Sequence, residues 1–118
     1  MKNTIDLQEL IDYCSKKTDS EIAFPFGNEP ICFKHNGKIF IEIYPNDDNY
    51  KVTVRCDSVI GEYYRTKYPE IIIPGYHVPL RQRKYKNTVL LNRGLSKKIL
   101  LELIDQSFST IEKSKRGI

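Results

Sequence analysis

The sequence predicts an α+β fold, in which an antiparallel sheet meander has helices packed on one face. Apolar residues recur with a helical period near both ends of the chain, while a hairpin signal and an alternating segment lie between them. Helices that flank a meander pack on one face of the sheet, which leaves the other face as a candidate contact surface. A chain of 118 residues can bury one core without metals or disulfides, so we expect residues 1–118 to form one domain.

The centre of the predicted sheet is a hairpin over residues 30–44, PICFKHNGKIFIEIY. Two apolar runs are joined by Asn36-Gly37, and both residues tolerate the positive φ angles that a type I′ turn requires. The two-residue loop fixes the register and predicts three opposed pairs: His35–Lys38, Phe33–Phe40 and Ile31–Glu42. Because the ribbon is apolar on both faces, we expect it in the middle of the fold.

Amphipathic stripes predict helices near both ends of the chain. The first covers about residues 6–17, where Asp6 can cap it and Ile5 with Leu10 has the spacing of a hydrophobic staple. Its apolar stripe consists of Leu7, Leu10, Ile11 and Cys14. The last helix begins after the capping residue Ser96. Its buried stripe consists of Ile99, Leu100, Leu103, Ile104, Ser107, Phe108 and Ile111.

Residues 51–56, KVTVRC, alternate between apolar and polar side chains. This alternation predicts a half-buried strand with a basic outer face that carries Lys51 and Arg55. Further strands are predicted at residues 71–73 and 88–92, with an irregular basic segment between them.

A middle helix is predicted after Asp57, which serves as its cap, and it ends at or before Pro69. Gly61 weakens this helix by roughly 1 kcal/mol relative to alanine. The residues predicted on its buried side are Val59, Ile60, Tyr63 and Tyr64.

The composition is that of an ordinary globular protein, with 40% hydrophobic and 29% charged residues. No apolar run approaches the length of a membrane span, and the N-terminus has no apolar stretch of signal-peptide length. We therefore expect a cytoplasmic protein without a membrane partner. Three cysteines without CxxC spacing indicate reduced, buried thiols. A formal net charge of +4 permits an anionic partner without requiring one.

The segment YHVPLRQRKYKN, residues 76–87, is the strongest candidate for contact with nucleic acid. It carries Arg81, Arg83, Lys84 and Lys86 within six residues, with Tyr85 among them. Arginine and lysine neutralise phosphates, and an aromatic ring can stack on a base. His77 lies at the entrance to the segment, and the strand at 51–56 is predicted to add its basic outer face. A solvated charged loop is the alternative interpretation.

Catalysis is not expected from this sequence. It contains two histidines, and His35 at the hairpin turn is predicted to be a surface residue. Cys56 with His77 and Asp57 would supply a thiol nucleophile and its base. However, no nucleophile motif surrounds Cys56, and nothing in the sequence brings the three residues together. We therefore predict a protein that is not an enzyme.

Metal and cofactor sites are not predicted either. Histidines and cysteines lack ligand spacing, and the six glycines are scattered rather than grouped in a phosphate-binding loop. Carboxylates recur at Asp6, Glu9 and Asp12 and again at Asp47-Asp48. Hard cations favour such oxygens, but an exposed acidic surface explains them as well. We expect no metal and no cofactor.

A series of short pieces in a fixed order spans nearly the whole chain. They are Phe24-Pro25-Phe26-Gly27, Phe33-Lys34, Gly37-Lys38-Ile39-Phe40, Val54-Arg55-Cys56-Asp57, Tyr68-Pro69, Ile73-Pro74-Gly75-Tyr76-His77, Asn87-Thr88-Val89 and Asp105-Gln106-Ser107-Phe108. Each piece is short, but their order and spacing together are specific. On these pieces the chain resembles the MmcQ/YjbR family, small bacterial proteins often labelled as DNA-binding.

The resemblance implies a frataxin-like (CyaY-like) layer of helices and sheet. It also implies a double-wing mode of DNA contact, in which hairpins and basic loops grip the duplex. This sequence departs from the family in the stretch before Asn87, which is longer and places Lys86 where Trp is common. Extra cations in place of an aromatic favour phosphate contact over base reading.

Frataxins bind iron through a strongly acidic first helix. The predicted first helix here offers only Asp6, Glu9 and Asp12, and the chain is net positive. Iron delivery is therefore not expected.

The leading hypothesis is a non-enzymatic DNA-binding protein, a monomer or weak dimer, that contacts mainly phosphates through its basic loop and strand face. The residues assigned to this contact are Lys51, Arg55, His77, Arg81, Arg83, Lys84, Tyr85 and Lys86.

The alternative hypothesis is a module that binds a small molecule or a protein, on the open sheet face or in a pocket near His77. Aromatic side chains would line the pocket, with Cys56 or His77 providing polarity. They are Phe24, Phe26, Phe33, Phe40 and Tyr76. A plain apolar core is the competing explanation for the same aromatic residues.

Overall fold

A computed structural model describes residues 5–76 and 78–116. In these ranges an antiparallel sheet has the strand order β1-β2-β3-β4-β6-β5. The strands are β1 (Ser20–Ala23), β2 (Ile31–His35), β3 (Lys38–Tyr44), β4 (Lys51–Arg55), β5 (Ile72–Pro74) and β6 (Lys86–Leu90). The helices are α1 (Leu7–Ser15), α2 (Ser58–Lys67) and α3 (Lys97–Arg116). Short 3₁₀ turns cover Asp47–Asn49, Leu80–Tyr85 and Leu91–Arg93. The predicted α+β fold is confirmed.

One face of the sheet packs against α1 and α3 and forms the apolar core. The sheet contributes alternate strand residues, because successive side chains of a strand point to opposite faces. They are Phe33, Ile41, Ile43, Val52, Val54, Ile72 and Val89. The helices contribute Leu10, Cys14, Leu100, Leu103, Ile104 and Ile111. Both predicted stripes therefore face the sheet.

The helix starts follow the capping residues that the sequence predicts. The Asp57 carboxylate accepts hydrogen bonds from the backbone N–H groups of Val59 and Ile60, and the Ser96 hydroxyl accepts one from Ile99. Asp6 occupies the N-cap of α1 without a side-chain hydrogen bond. The longest helix, α3, has 20 residues. Within the described ranges, no helix combines the length and apolar character needed to cross a membrane.

The central hairpin forms as predicted, but its register is wrong beyond the first pair. His35 lies opposite Lys38, whereas Phe33 lies opposite Ile41 rather than Phe40. Ile31 likewise pairs with Ile43 instead of Glu42. A β-bulge shifts the register by one residue between Phe33 and Lys34, which leaves Phe40 as the extra residue of β3. Both Phe40 and Ile41 are therefore buried.

The bulge leaves backbone groups that other parts of the chain satisfy. The Ser107 hydroxyl of α3 donates to the carbonyl of Phe40 and accepts from the N–H of Arg55, at 2.8 Å. The Arg55 side chain turns back over β3, and its Nε donates to the carbonyl of Ile39 at 2.7 Å. Buried backbone groups without partners are costly, so these bonds fix α3 against the middle of the sheet.

The second face of the sheet is not the open basic surface that the alternation of β4 predicts. Lys51 is 7% exposed and Thr53 is 2% exposed. The segment after β5 lies over this face, since the N–H of Tyr76 donates to the Thr88 hydroxyl at 2.7 Å. Thr88 in turn shares a 2.7 Å hydrogen bond with Thr53. Alternation identified the strand but could not show that a loop covers its polar side.

Helix α2 is rotated relative to the prediction, which is confirmed only for Tyr64, a partly buried residue that packs against the core. Val59, Ile60 and Tyr63 are 74%, 42% and 55% exposed, whereas Gly61 is buried. A Cβ atom at Gly61 would lie 2.5 Å from the sulfur of Cys56, the residue that follows β4, so the helix can approach this side chain only through a glycine. Gly61, which was predicted to weaken the helix, is the residue through which the helix packs against Cys56.

One additional strand and the start of β6 also differ from the sequence prediction. Strand β1, which pairs with β2, was not predicted, because a four-residue strand of mixed polarity has no detectable period. Strand β6 begins at Lys86 rather than Thr88. Lys86 and Asn87 pair with the end of β4, which extends the sheet into the predicted irregular segment.

Ser107→Ala tests the attachment of α3 to the bulge. The change removes one hydroxyl and leaves a buried carbonyl and a buried N–H without partners, so we expect the free energy of unfolding to fall by about 3 kcal/mol. Urea unfolding followed by circular dichroism measures it. The control Ser109→Ala, two residues along the same helix, should change stability by less than about 0.5 kcal/mol. Equal effects of the two changes would contradict the assigned role of Ser107.

Candidate nucleic-acid interface

The basic segment predicted from sequence forms a 3₁₀ turn, Leu80–Tyr85, on the surface of the protein. All of its side chains are exposed. Backbone hydrogen bonds fix both of its ends. The N–H of Gln82 donates to the carbonyl of Pro79 at 2.8 Å, and the N–H of Cys56 donates to the carbonyl of Tyr85 at 2.9 Å. The cations are therefore presented on an anchored turn.

A shallow groove of about 600 Å³ runs beside this turn. Its lining consists of Arg65, Pro74, Leu80, Arg81, Arg83 and Lys84, and we call it the basic groove. Among the described residues that line it, four are basic and none is acidic. Cations that share a concave surface without a carboxylate attract anions.

Two cations of the basic groove are held by neighbouring groups. Arg65 Nη1 donates to the side-chain oxygen of Asn87 at 2.7 Å, and Asn87 donates to the carbonyl of Gly61 at 3.2 Å. Arg83 Nε donates to the carbonyl of Val78 at 3.2 Å. Each guanidinium has five N–H donors, so each keeps further donors for a ligand.

The other two cations have no anionic partner in the described part of the chain. None of the three ion pairs found there includes Arg81 or Lys84. The ammonium group of Lys84 lies 5.3 Å from the centre of the Tyr85 ring. Arg81 and Lys84 are therefore the side chains best placed to move onto a bound phosphate.

Arg65 is the groove residue that sequence reasoning missed. It lies four residues after Gly61 and therefore on the same face of α2. Assigning Val59 and Ile60 to the buried side placed Arg65 on the wrong side of the helix. Recognition of Gly61 as the packing residue would have identified Arg65.

Lys51 and Arg55 do not belong to this surface. The Lys51 ammonium lies 4.3 Å from the centre of the Tyr76 ring and 5.0 Å from that of Tyr44, and it donates to the carbonyl of Asn49. Burial lowers the pKa of the Arg55 guanidinium, while nearby Glu42 acts in the opposite direction. The basic outer face predicted for β4 is wrong, because both cations serve internal contacts.

The remaining predicted contacts are dispersed. Tyr85 is 48% exposed beside the basic groove. Lys86 is half-buried and lines a different pocket on the second face of the sheet. His77 lies outside the described residues. The structure thus brings together Arg81, Arg83, Lys84 and Tyr85 from the predicted set.

The aromatic pocket of the alternative hypothesis does not assemble as predicted. Phe33 and Phe40 are core residues, whereas Phe24 and Phe26 are 52% and 65% exposed. Tyr76 packs edge-on against Tyr44, with 5.6 Å between ring centres. A pocket is nevertheless present on the second face of the sheet, and Phe26 contributes to its lining.

His35 is buried rather than a surface residue. It is 2% exposed, and its ring stacks on Phe108 of α3 with 4.2 Å between ring centres. Its Nε2 lies 2.5 Å from a carboxylate oxygen of Glu112. The bulge lets the turn end of the hairpin fold onto α3, which explains this burial.

Cys56 lies in a protected position. Its thiol donates to the carbonyl of Lys84 at 3.7 Å, next to Gly61. Burial raises the pKa of the Cys56 thiol to about 11, although the Arg65 guanidinium acts in the opposite direction. The neighbouring Asp57 carboxylate is occupied as the cap of α2.

Two of the acidic residues considered as metal ligands have other contacts. Glu9 pairs with Lys97 at 3.0 Å, and Asp12 accepts from Gln8 at 2.9 Å. Across residues 5–76 and 78–116, no three His, Cys, Asp or Glu residues are grouped so that they could hold a metal ion.

Comparisons with known proteins match nearly the whole chain. The model of the YjbR family matches residues 15–110, while no curated protein matches. The crystal structure of the Deinococcus radiodurans protein DR2400, described as a DUF419 domain, is 25% identical in sequence and superposes with a TM-score of 0.82. The match covers 99% of this chain and 84% of the DR2400 chain. A crystal structure of a Pseudomonas syringae protein is 28% identical in sequence, with a TM-score of 0.72. That match covers 90% of this chain and 98% of the Pseudomonas syringae chain.

The reactivity of Cys56 tests its protected environment. With a pKa of about 11 rather than 9.0, its thiolate fraction at pH 8 is about a hundredfold lower than that of an unperturbed thiol. We expect alkylation by iodoacetamide at pH 8 to be slower by about that factor in the folded protein than in urea, with peptide mass spectrometry as the readout. The rate should rise with pH up to about 11. Rapid alkylation of the folded protein at neutral pH would contradict this.

Proposed function

The chain belongs to the YjbR family, and we propose that it is a non-enzymatic DNA-binding protein whose basic groove contacts backbone phosphates. The observation that carries this proposal is the convergence of Arg65, Arg81, Arg83 and Lys84 on one groove without an acidic residue in its lining. Cations that neutralise phosphates release counterions, which is the main source of affinity in sequence-independent DNA binding.

The groove residues suit two different tasks. Arg65 and Arg83 are oriented by hydrogen bonds to Asn87 and Val78. Binding of a phosphate therefore costs little additional side-chain conformational entropy at these two residues. Arg81 and Lys84 are exposed, and they can adjust to successive phosphates along a strand. A fixed pair with an adjustable pair supports binding to a backbone rather than to one small anion.

The same geometry favours phosphate contact over base reading. Leu80 is 78% exposed on the groove and offers an apolar surface to sugars, not a hydrogen bond to a base edge. Phosphate contacts fix the position of a protein on a duplex but carry no sequence information. The proposed protein therefore binds many sequences with similar affinity. The proposal also keeps the expectation of a cytoplasmic protein that is a monomer or weak dimer.

The double change Arg81→Gln with Lys84→Gln tests this function. It removes two exposed charges while leaving the hydrogen bonds of Arg65 and Arg83 in place. Each lost phosphate contact should flatten the plot of log affinity against log salt by about 0.9, so we expect a change in slope of about 1.8. Fluorescence anisotropy of a labelled duplex, titrated from low to moderate salt, measures the slope.

A charge-matched control is Lys16→Gln with Lys98→Gln. It removes two exposed lysines that do not line the basic groove, one at the end of α1 and one in α3. It should leave the slope close to that of the original protein. Equal slopes for the groove variant and the original protein would reject the groove as the contact surface. Absence of binding at low salt would reject DNA as the partner.

A further inference from the structure

A second concave site shares no lining residue with the basic groove. It is a pocket of about 440 Å³ between the second face of the sheet, the loop before β2 and the residues that follow β5. Its apolar wall consists of Phe26, Pro30, Tyr44, Val78 and Pro79. We call it the second-face pocket. Pockets of this volume with mostly apolar walls and a few polar groups are typical of small-molecule sites.

The charged residues of the second-face pocket are two carboxylates and one ammonium, Glu29, Glu42 and Lys86. Glu29 is exposed, whereas Glu42 is half-buried and accepts a 3.0 Å hydrogen bond from the Tyr44 hydroxyl. None of the three ion pairs in the described ranges includes either carboxylate. Glu42 is already close to the Arg55 guanidinium, so Glu29 is the carboxylate of the lining best placed to receive a cation, next to aromatic side chains.

We propose that the second-face pocket binds a small organic monocation, a primary amine on a flat aromatic or apolar body. The amine would lie between Glu29 and Glu42, where charge-assisted hydrogen bonds are stronger than neutral ones. The body would pack on Phe26, Pro30 and Val78. The ring face of Phe26 attracts a cation as well, since an aromatic face carries partial negative charge, whereas the Tyr44 ring already has the Lys51 ammonium 5.0 Å from its centre.

Lys86 limits the ligand to a single positive charge. Lys86 lines the same pocket as Glu42, so a second cation on the ligand would be repelled by a like charge. A diamine should therefore bind less tightly than a monoamine of similar size. The site is separate from the basic groove, and the proposal does not depend on DNA binding.

A titration of the ¹⁵N-labelled protein, followed by ¹H–¹⁵N NMR spectra, tests the site with three probes that share one body. They are phenethylamine, 3-phenylpropionate and 2-phenylethanol. We expect saturable shifts of the amides near Phe26, Glu42, Tyr44 and Val78 with phenethylamine. The acid and the alcohol should bind about tenfold more weakly or not at all, because they lack the positive charge.

Two variants connect the binding to the proposed residues. Glu29→Gln and Phe26→Ala change exposed side chains, so both should fold, and each should weaken phenethylamine binding several-fold. Glu62→Gln, an exposed carboxylate on α2 outside the pocket, is the matched control and should bind like the original protein. Absence of saturable shifts, equal binding of the alcohol and the amine, or unchanged binding by Glu29→Gln would each overturn the proposal.

Discussion

The β-bulge at Phe40 is the constraint on which the arrangement of the molecule depends. One extra residue in β3 frees backbone groups in the interior, and Ser107 and the Arg55 side chain satisfy them. These bonds place α3 across β3 and β4, and they bring the hairpin end with His35 against Phe108. The same requirement removes Arg55 from the surface, because its Nε is committed to a backbone carbonyl.

The segment that follows β5 divides the remaining surface into two sites. Gly75 permits its turn over β6, since a Cβ there would lie 2.7 Å from a methyl group of Val78 and 3.1 Å from Cβ of Lys86. Once the segment is in place, Tyr76 covers Lys51, and the 3₁₀ turn presents its cations to solvent. One loop therefore separates the basic groove from the second-face pocket.

The sequence was sufficient for the elements whose signals are local. The turn at Asn36-Gly37, the caps at Asp57 and Ser96, and the amphipathic stripe of α3 depend on neighbouring residues, and each appears in the structure. Periodicity alone could not reveal the bulge, because one inserted residue leaves both apolar runs intact.

The candidate site was predictable only in part. The exposed cations of the basic turn are adjacent in sequence, so composition was enough to find them. Arg65 lies beside these cations because Gly61 packs against Cys56. Lys51 is not part of the site because Tyr76, on a loop distant in sequence, covers it. Both outcomes depend on tertiary contacts that neither alternation nor charge content encodes.

The measurement that tests the central claim most directly is a ¹H–¹⁵N NMR titration of the protein with a short duplex at low salt. If the basic groove binds DNA, the amide shifts will concentrate in residues 80–85 and in α2 around Arg65, and they will diminish as salt is added. Shifts confined to α1 or to the hairpin turn, or no shifts at low salt, would contradict the assignment of the groove as a DNA-binding surface.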